Sequence, residues 1–219
     1  MTPITKAHSL TFSIVTPIVF LIWKTMSNLY GLFWLFDMLI TAIISATFYN
    51  LVYKTLLQAC QKLHILKKWL LGQRYFEGLW MGYYTSDGTY TFYYEFFEQS
   101  LENMSIKGIA FDENFNQLES WTVLNPYINI EESKLAYYYE MDELALPNVT
   151  LGYAKATIHW DERGKASKLT GFSLDSYSTK KEIFISQKVN IPNKPELQQR
   201  WIDTNFRDYV IKLSNHQFT

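Results

Sequence analysis

Two long apolar runs, separated by only a few residues, occupy the first quarter of this 219-residue chain. The first extends from about Ser9 to Trp23, and it can begin at Ile4 if the Lys6 side chain reaches toward lipid headgroups. The second covers residues 29–53, which in a helix with a rise of about 1.5 Å per residue is about 37 Å long. A bilayer hydrocarbon core is about 30 Å thick, so the sequence predicts a two-helix transmembrane hairpin over residues 1–54.

A cleaved signal peptide is the alternative explanation for the first run. Lys6 precedes the apolar stretch, as a basic residue does in such signals. However, no cleavage site of the A-x-A type follows Trp23, and a second full-length run comes almost at once. The sequence therefore favours the membrane hairpin.

Basic residues predict the orientation of this hairpin. They cluster after the second run, whereas the predicted loop at residues 24–28 contains one lysine. The positive-inside rule then places both termini in the cytoplasm. Residues 55–74 are predicted to form a basic amphipathic linker near the membrane surface. The basic residues of this flank are Lys54, Lys62, Lys67, Lys68 and Arg74.

One carboxylate, Asp37, lies about two helical turns inside the second run. A charged side chain in hydrocarbon costs about 3 kcal/mol or more. Two explanations are open: Asp37 is solvated or protonated near the far interface, or it faces other helices or water in an assembly. Ala42 and Ala46, with Thr41 and Ser45, form two small-xxx-small pairs that allow close helix approach. We therefore predict that this span takes part in assembly through Asp37, Ala42, Ser45 and Ala46.

From Tyr75 onward the pattern changes to short aromatic or β-branched runs separated by polar turns, of which "TSDGT" at 85–89 is the clearest. Short connections leave no room for crossover helices, so the predicted sheet is antiparallel. A closed up-and-down barrel removes both sheet edges, whereas a Greek-key sandwich needs a longer connection. The predicted fold is thus two membrane helices, an eight-stranded antiparallel up-and-down β-barrel over 75–190, and a C-terminal amphipathic helix over 191–219. The predicted strands are 77–85, 89–98, 104–111, 118–129, 134–142, 150–160, 166–174 and 181–189.

Alternation along three of these strands predicts which side chains face the barrel interior. The more apolar set of each strand should point inward. One wall would then carry bulky aromatic side chains and another only small ones, which either pack against each other or leave a cavity. The predicted inward sets are Tyr90, Phe92, Tyr94 and Phe96; Leu135, Tyr137, Tyr139 and Met141; and Gly152, Ala154, Ala156, Ile158 and Trp160.

The sequence contains no recognisable catalytic or metal-binding motif. Glycine-rich phosphate loops, G-x-S-x-G and H-E-x-x-H are absent. We interpret His159 as a solvated histidine beside a charged turn and Cys60, the single cysteine, as structural. A net charge of −1 argues against binding to a nucleic acid polymer. These features predict a binding protein without cofactor or metal, not an enzyme.

The arrangement resembles the two-transmembrane, β-strand-rich effectors of bacterial cyclic-oligonucleotide-based anti-phage signalling systems (CBASS). The resemblance covers essentially the whole chain: two spans with a minimal loop, a basic flank, the opening strand "FEGLWMGYY" with Gly78, Trp80 and Gly82, and seven further strands. It implies a cytoplasmic barrel that binds a cyclic dinucleotide made by a cognate nucleotidyltransferase. Binding would then drive homo-oligomerisation and disruption of the bacterial inner membrane, which kills the infected cell.

Candidate ligand residues follow from the chemistry of a cyclic dinucleotide, which presents two flat bases and two phosphate charges. Aromatic faces contribute about 1–3 kcal/mol per stacked base, and cations bind the phosphates. For each residue the competing explanation is core packing or simple solvation. The competing function is a membrane-tethered, lipocalin-like binding protein for an apolar ligand. The candidates are Trp80, Tyr90, Phe92, Tyr94, Tyr137, Tyr139, Arg163 and Lys168.

Overall fold

A computed structural model describes residues 2–29, 34–86, 88–124, 126–143, 149–176, 180–191 and 194–215. The chain divides into two units, one helical and one built around a β-barrel. The helical unit comprises Met1–Gly72 with Ser100–Glu102, and the barrel unit comprises Gln73–Gln99 with Asn103–Thr219.

Three helices form most of the helical unit: α1 (Pro3–Leu29), α2 (Trp34–Lys62) and α3 (His64–Leu71). A 3-10 turn, Gly72–Arg74, follows α3. The windows Pro3–Thr25 and Met38–Cys60 are long and apolar enough to cross a membrane. The two predicted long apolar helices are therefore confirmed. The predicted loop at 24–28 is wrong, because α1 continues to Leu29.

Small side chains mark the face of α1 that is buried in this unit. Ala7, Thr11 and Val15 follow at four-residue spacing and are almost fully buried. The Thr11 hydroxyl donates to the Ala7 carbonyl at 2.9 Å, so it is satisfied within its own helix. A polar contact joins α1 to α2, where His8 Nδ1 lies 2.6 Å from the Tyr49 hydroxyl. The hairpin thus combines close helix packing with a hydrogen bond between the helices.

Nine antiparallel strands are described in the barrel unit, and eight of them close the barrel. The strands are β1 (Gly78–Ser86), β2 (Thr89–Gln99), β3 (Met104–Phe111), β4 (Gln117–Leu124), β5 (Tyr127–Asn129), β6 (Lys134–Glu143), β7 (Val149–Trp160), β8 (Ala166–Asp175) and β9 (Glu182–Lys188). Neighbours around the wall follow the order β4-β3-β2-β1-β9-β8-β7-β6, and β6 pairs with β4 to close it. The fifth strand is short and pairs only with β6 in the described sheet. The predicted antiparallel barrel is confirmed.

The predicted strand at 118–129 is two strands in the structure. β4 ends at Leu124 and β5 begins at Tyr127, with Pro126 between them. Proline has no backbone N–H to donate to a neighbouring strand, so a continuous ladder is interrupted there. This break lets β4 and β5 lie beside different parts of β6.

Bulky side chains fill one half of the barrel interior, toward the β7–β8 turn. Trp80 is fully buried, and its indole N–H donates to the Phe76 carbonyl at 2.9 Å. The Phe97 ring centroid lies 5.2 Å from that of Trp80. Ile158 and Leu169 complete this cluster with 2% and 1% exposure. We call this packed half of the barrel the closed end.

The C-terminal helix α4 (Pro195–Asn215) creates a second apolar core on the outside of the barrel. It begins with proline, which fits the first turn of a helix because the N–H it lacks would have no intrahelical partner. Its buried apolar residues are Ile202, Phe206, Val210 and Leu213. They pack with outward-facing side chains of the neighbouring strands, which include Leu79, Met81, Tyr83, Phe92 and Tyr94.

The predicted inward set of β2 is wrong. Tyr90, Phe92, Tyr94 and Phe96 belong to the outer core that contains α4. The set that faces the interior includes Tyr93, Glu95 and Phe97. Apolarity misleads here because α4 covers the outer face of β2, so both faces of this strand are buried.

The predicted inward sets of β6 and β7 are confirmed. Tyr137 and Tyr139 of β6 and Ala154 and Ala156 of β7 all belong to the interior cluster. Large side chains pack against small ones: a Cβ atom on Gly152 would lie 2.1 Å from the Tyr139 ring. The space beside Ala154 remains open. This wall of the barrel therefore shows both arrangements that the sequence allowed, namely large side chains packed against small ones and an open cavity.

We expect the fragment 75–219 to fold without detergent. It contains both apolar cores, and barrel closure leaves no long unpaired edge. Circular dichroism should show mainly β-structure in a monodisperse sample. Gly152→Val should abolish this fold through its collision with Tyr139, whereas Thr157→Val on the exposed face of the same strand should not. A spectrum of mainly helix or coil for the unmodified fragment would contradict the barrel.

Candidate functional site

The half of the barrel opposite the closed end contains a cavity. It has about 440 Å³ of empty space, its open mouth included. Small side chains on β7 and β8, Ala154 and Ser173, leave room opposite the aromatic side chains of the other strands. Its aromatic lining consists of Tyr84, Tyr93, Trp121, Tyr137, Tyr139 and Phe184.

Glu95 is the deepest carboxylate of this cavity. It lies in the middle of β2 and is 3% exposed. Its Oε1 atom accepts a hydrogen bond from Trp121 Nε1 at 3.1 Å and a longer one from the Tyr137 hydroxyl at 3.4 Å. Gly108 makes room for this arrangement, since a Cβ atom there would lie 2.0 Å from the Trp121 ring. The strands thus hold one carboxylate between aromatic side chains inside the barrel.

Three further carboxylates lie nearer the mouth, because each is close to a strand end on that side of the barrel. Glu119 is near the start of β4, Asp175 ends β8 and Glu182 begins β9. The Tyr84 hydroxyl donates to Glu119 Oε1 at 2.6 Å, and the Tyr139 hydroxyl donates to Asp175 Oδ1 at 2.5 Å. Tyrosine hydroxyls therefore orient two of the three rim carboxylates.

The cavity is acidic. Four of its lining residues carry carboxylates, and no lysine or arginine is among the described residues that line it. Burial raises the pKa of Glu95 to about 7. Burial also raises the pKa of Glu182 to about 7, with further contributions from the charges of Asp175 and Glu119. Carboxylates that share a low-dielectric space disfavour one another's ionised form, so this site binds protons near neutral pH.

The stability of the barrel should therefore depend on pH. Because the pKa of Glu95 is raised from 4.5 to about 7, the folded state holds more protons than the unfolded chain between these pH values. The free energy of unfolding should fall as pH rises through this window, by roughly 3 kcal/mol from Glu95 alone, and level off above it.

The measurement is the melting temperature of the protein at pH 5 and at pH 8. Glu95→Gln should remove much of the difference, because its amide does not titrate. Glu98→Gln, on the exposed outer face of the same strand, should keep it. A stability that is equal at both pH values in the unmodified protein would show that the Glu95 carboxylate is solvated.

The structure brings together only two of the predicted ligand residues, Tyr137 and Tyr139, which both line the cavity. Trp80 belongs to the closed end. Arg163 is exposed in the β7–β8 turn, at the opposite end of the barrel from the mouth, and Lys168 alternates with interior Leu169 on β8 and so faces outward. The remaining candidates, Tyr90, Phe92 and Tyr94, lie in the outer core with α4.

The sequence interpretation missed the carboxylates and several of the rings. Glu95 had a visible signal: a single acidic residue stands inside the aromatic run "YTFYYEFF". The sequence gives no such signal for Glu119, Asp175 and Glu182. Each of them lies beside a polar turn, where acidic residues are ordinarily solvated. Only the barrel topology brings these three to one cavity.

The predicted assembly residues lie on different faces of α2. The backbone of Asp37 belongs to α2, but its side chain is outside the described residues. Ser45 is half-buried and donates to the Thr41 carbonyl at 2.5 Å, whereas Ala42 and Ala46 are exposed. The sequence interpretation missed Asn50, which continues the four-residue spacing of the two alanines.

Asn50 is an exposed polar side chain near the middle of the membrane-length window Met38–Cys60. Within the described part of the chain it has no hydrogen-bond partner. Polar side chains in membrane helices promote helix association, because lipid cannot satisfy them. The exposed face formed by Ala42, Ala46 and Asn50 therefore lets another helix approach closely. It also offers that helix an amide that can both donate and accept hydrogen bonds.

Comparison of the chain with known protein families, curated proteins and solved structures finds no match. In the described residues, no three histidine, cysteine, aspartate or glutamate side chains converge in a way that could hold a metal ion. The cavity and the two membrane-length helices are therefore the features of this chain that indicate a function.

Proposed function

We propose that this chain is a membrane-anchored sensor whose barrel binds a small molecule and whose apolar helices carry the response into the bilayer. The observation that supports this function best is the open, aromatic-lined cavity in one half of a barrel whose other half is filled. A purely structural barrel would gain stability from a filled interior, because packing voids are costly. The two membrane-length helices on the same chain supply an effector part.

The ligand class we propose is the cyclic dinucleotide implied by the resemblance to CBASS effectors. Tyrosine and tryptophan rings offer faces on which a base can stack. We place one base of the ligand in the cavity, not the whole ligand. The phosphates would then stay outside the mouth, beyond the rim carboxylates Glu119, Asp175 and Glu182.

A carrier of an apolar ligand is less well supported. Four carboxylates line the cavity, and Glu95 is nearly inaccessible to solvent. Covering such groups with an apolar molecule leaves their remaining lone pairs without hydrogen-bond donors, which costs about 1–3 kcal/mol for each unsatisfied group. A ligand with polar edges avoids this cost.

The response we propose is self-association of the membrane helices in the inner membrane of a bacterium, followed by loss of the permeability barrier and death of the infected cell. The exposed face with Ala42, Ala46 and Asn50 supports the association step. Interhelical hydrogen bonds in membranes contribute about 0.6–2 kcal/mol each, so several copies are needed for a stable assembly.

The direct test is isothermal titration calorimetry of the full chain in detergent against a panel of cyclic dinucleotides. We expect at least one to bind and to raise the melting temperature through mass action. Tyr139→Ala should weaken binding by roughly 5- to 150-fold, since a stacked ring contributes about 1–3 kcal/mol. Arg163→Ala is the matched control and should bind normally, because Arg163 lies at the closed end.

Two results would contradict this proposal. One is the absence of binding across the panel by a protein with a normal melting profile. The other is normal binding by a folded Tyr139→Ala protein together with loss of binding in Arg163→Ala, which would move the ligand site to the β7–β8 turn.

A further inference from the structure

Four hydrogen-bond donors that line the cavity are directed at its own carboxylates. Trp121 Nε1 and the Tyr137 hydroxyl both donate to Glu95 Oε1. The Tyr84 hydroxyl donates to Glu119, and the Tyr139 hydroxyl donates to Asp175. These four side chains have given their N–H or O–H to the protein, so they have no donor left for a ligand.

Acceptors, in contrast, are in excess. An ionised carboxylate has about four lone-pair positions, whereas the described residues donate two hydrogen bonds to Glu95 and one to Asp175. The second oxygen of Glu95, Oε2, has no hydrogen-bond partner among the residues that the structure describes. A molecule that enters the cavity therefore meets mainly ring faces and carboxylate oxygens, beside the hydroxyls of Tyr93 and Ser173.

We propose that the group which enters this cavity is a planar ring edge with adjacent N–H donors, the chemistry of guanine or of an amidine, and that Glu95 accepts from it. This inference rests on the proposed function for the location of the ligand, but it specifies the chemistry independently. Two adjacent N–H groups can donate two parallel hydrogen bonds to the two oxygens of a carboxylate, as the guanidinium group of arginine does. The aromatic rings around Glu95 would hold the planar group from its faces.

Other bases fit this site poorly. Guanine presents a ring N–H next to its amino group, whereas adenine and cytosine present an amino group next to an acceptor nitrogen. Uracil presents one N–H between two carbonyl oxygens. With any of these three, an acceptor of the ligand would face an acceptor oxygen of the ionised Glu95 carboxylate. A site built to hydrogen-bond two donors discriminates strongly against a ligand that lacks one, because a buried polar group is then left unpaired.

The test uses the full chain in detergent and four probes: cyclic diguanylate, its inosine-containing analogue without the exocyclic amino groups, cyclic diadenylate, and benzamidine. Calorimetry should show that the diguanylate binds at least tenfold more tightly than the inosine and adenine compounds. Glu95→Gln should weaken binding of the diguanylate at least tenfold, because its amide replaces one acceptor with a donor. Glu98→Gln, exposed on the outer face of the same strand, is the matched control and should bind normally.

The probes separate this inference from the proposed function. Equal binding of the diguanylate and diadenylate would overturn this inference, and so would normal binding by a folded Glu95→Gln protein. Either result would leave intact the proposed function of a cyclic dinucleotide sensor. A third possible result is that benzamidine binds, that no cyclic dinucleotide does, and that Glu95→Gln loses the benzamidine binding. It would support a ligand with adjacent N–H donors and would overturn the cyclic dinucleotide as the ligand. No binding by any probe would overturn both.

Discussion

Phenylalanine in place of Ala154 is expected to abolish ligand binding by the barrel. Ala154 is 2% exposed, lines the cavity and pairs with Tyr137 on one side and Ser173 on the other. A benzyl group at this position would occupy the space in which we place the ligand ring. We expect a loss of affinity of more than about 100-fold, which corresponds to about 2.7 kcal/mol.

The control for this substitution is Thr157→Phe, on the exposed face of the same strand. It adds the same ring outside the barrel and should bind normally. Overpacking a core costs about 1–3 kcal/mol, so the melting temperature of Ala154→Phe must be measured as well. If that protein does not fold, Ser173→Leu narrows the same cavity from β8. Normal binding by either folded cavity variant would exclude the cavity as the ligand site.

Leucine in place of Asp37 is expected to remove membrane permeabilisation without affecting ligand binding. Asp37 lies in the apolar part of α2, where a carboxylate is costly. In an assembly several copies of this side chain come together, and like charges in low dielectric either take up protons or draw in water. Water recruited in this way would help to breach the bilayer. Leucine removes both effects while making insertion of the helix more favourable.

The measurement is dye uptake by cells after the ligand is produced, at matched protein levels. Ile43→Leu, an apolar exchange at an exposed position of the same helix, is the matched control and should permeabilise normally. Asn50→Leu should also reduce permeabilisation, through weaker helix association, and crosslinking should show fewer oligomers. Undiminished dye uptake with Asp37→Leu would leave this residue as a carboxylate at the membrane interface with no part in the lesion.

The fold could be predicted from the sequence because most strands alternate between an apolar side chain that faces the interior and a more polar one that faces outward. On β6 and β7 the inner face is apolar and the outer face is more polar, so alternation alone orients Tyr137 and Ala154 correctly. The two apolar helices follow in the same way from length and composition. Local patterns are sufficient wherever a segment has one buried face.

The errors arise where contacts distant in sequence decide the outcome. The outer face of β2 is apolar because α4 covers it, and α4 lies about a hundred residues further along the chain. The interior position of Glu95 therefore looked like the solvent-facing one. A search for cations to bind phosphate also directed attention to Arg163, whereas the cavity holds carboxylates. Residues from strands β2, β4, β8 and β9 meet there only after the barrel has closed.

On the proposed function, occupancy of the barrel cavity controls the membrane helices. The most direct measurement is dye release from liposomes that contain the purified full chain, before and after addition of a ligand identified by calorimetry. We predict little release without ligand, rapid release once the cavity is saturated, and no release at the same ligand concentration from liposomes with Ala154→Phe. Release that is independent of ligand, or intact liposomes at ligand concentrations that saturate the barrel, would contradict the account.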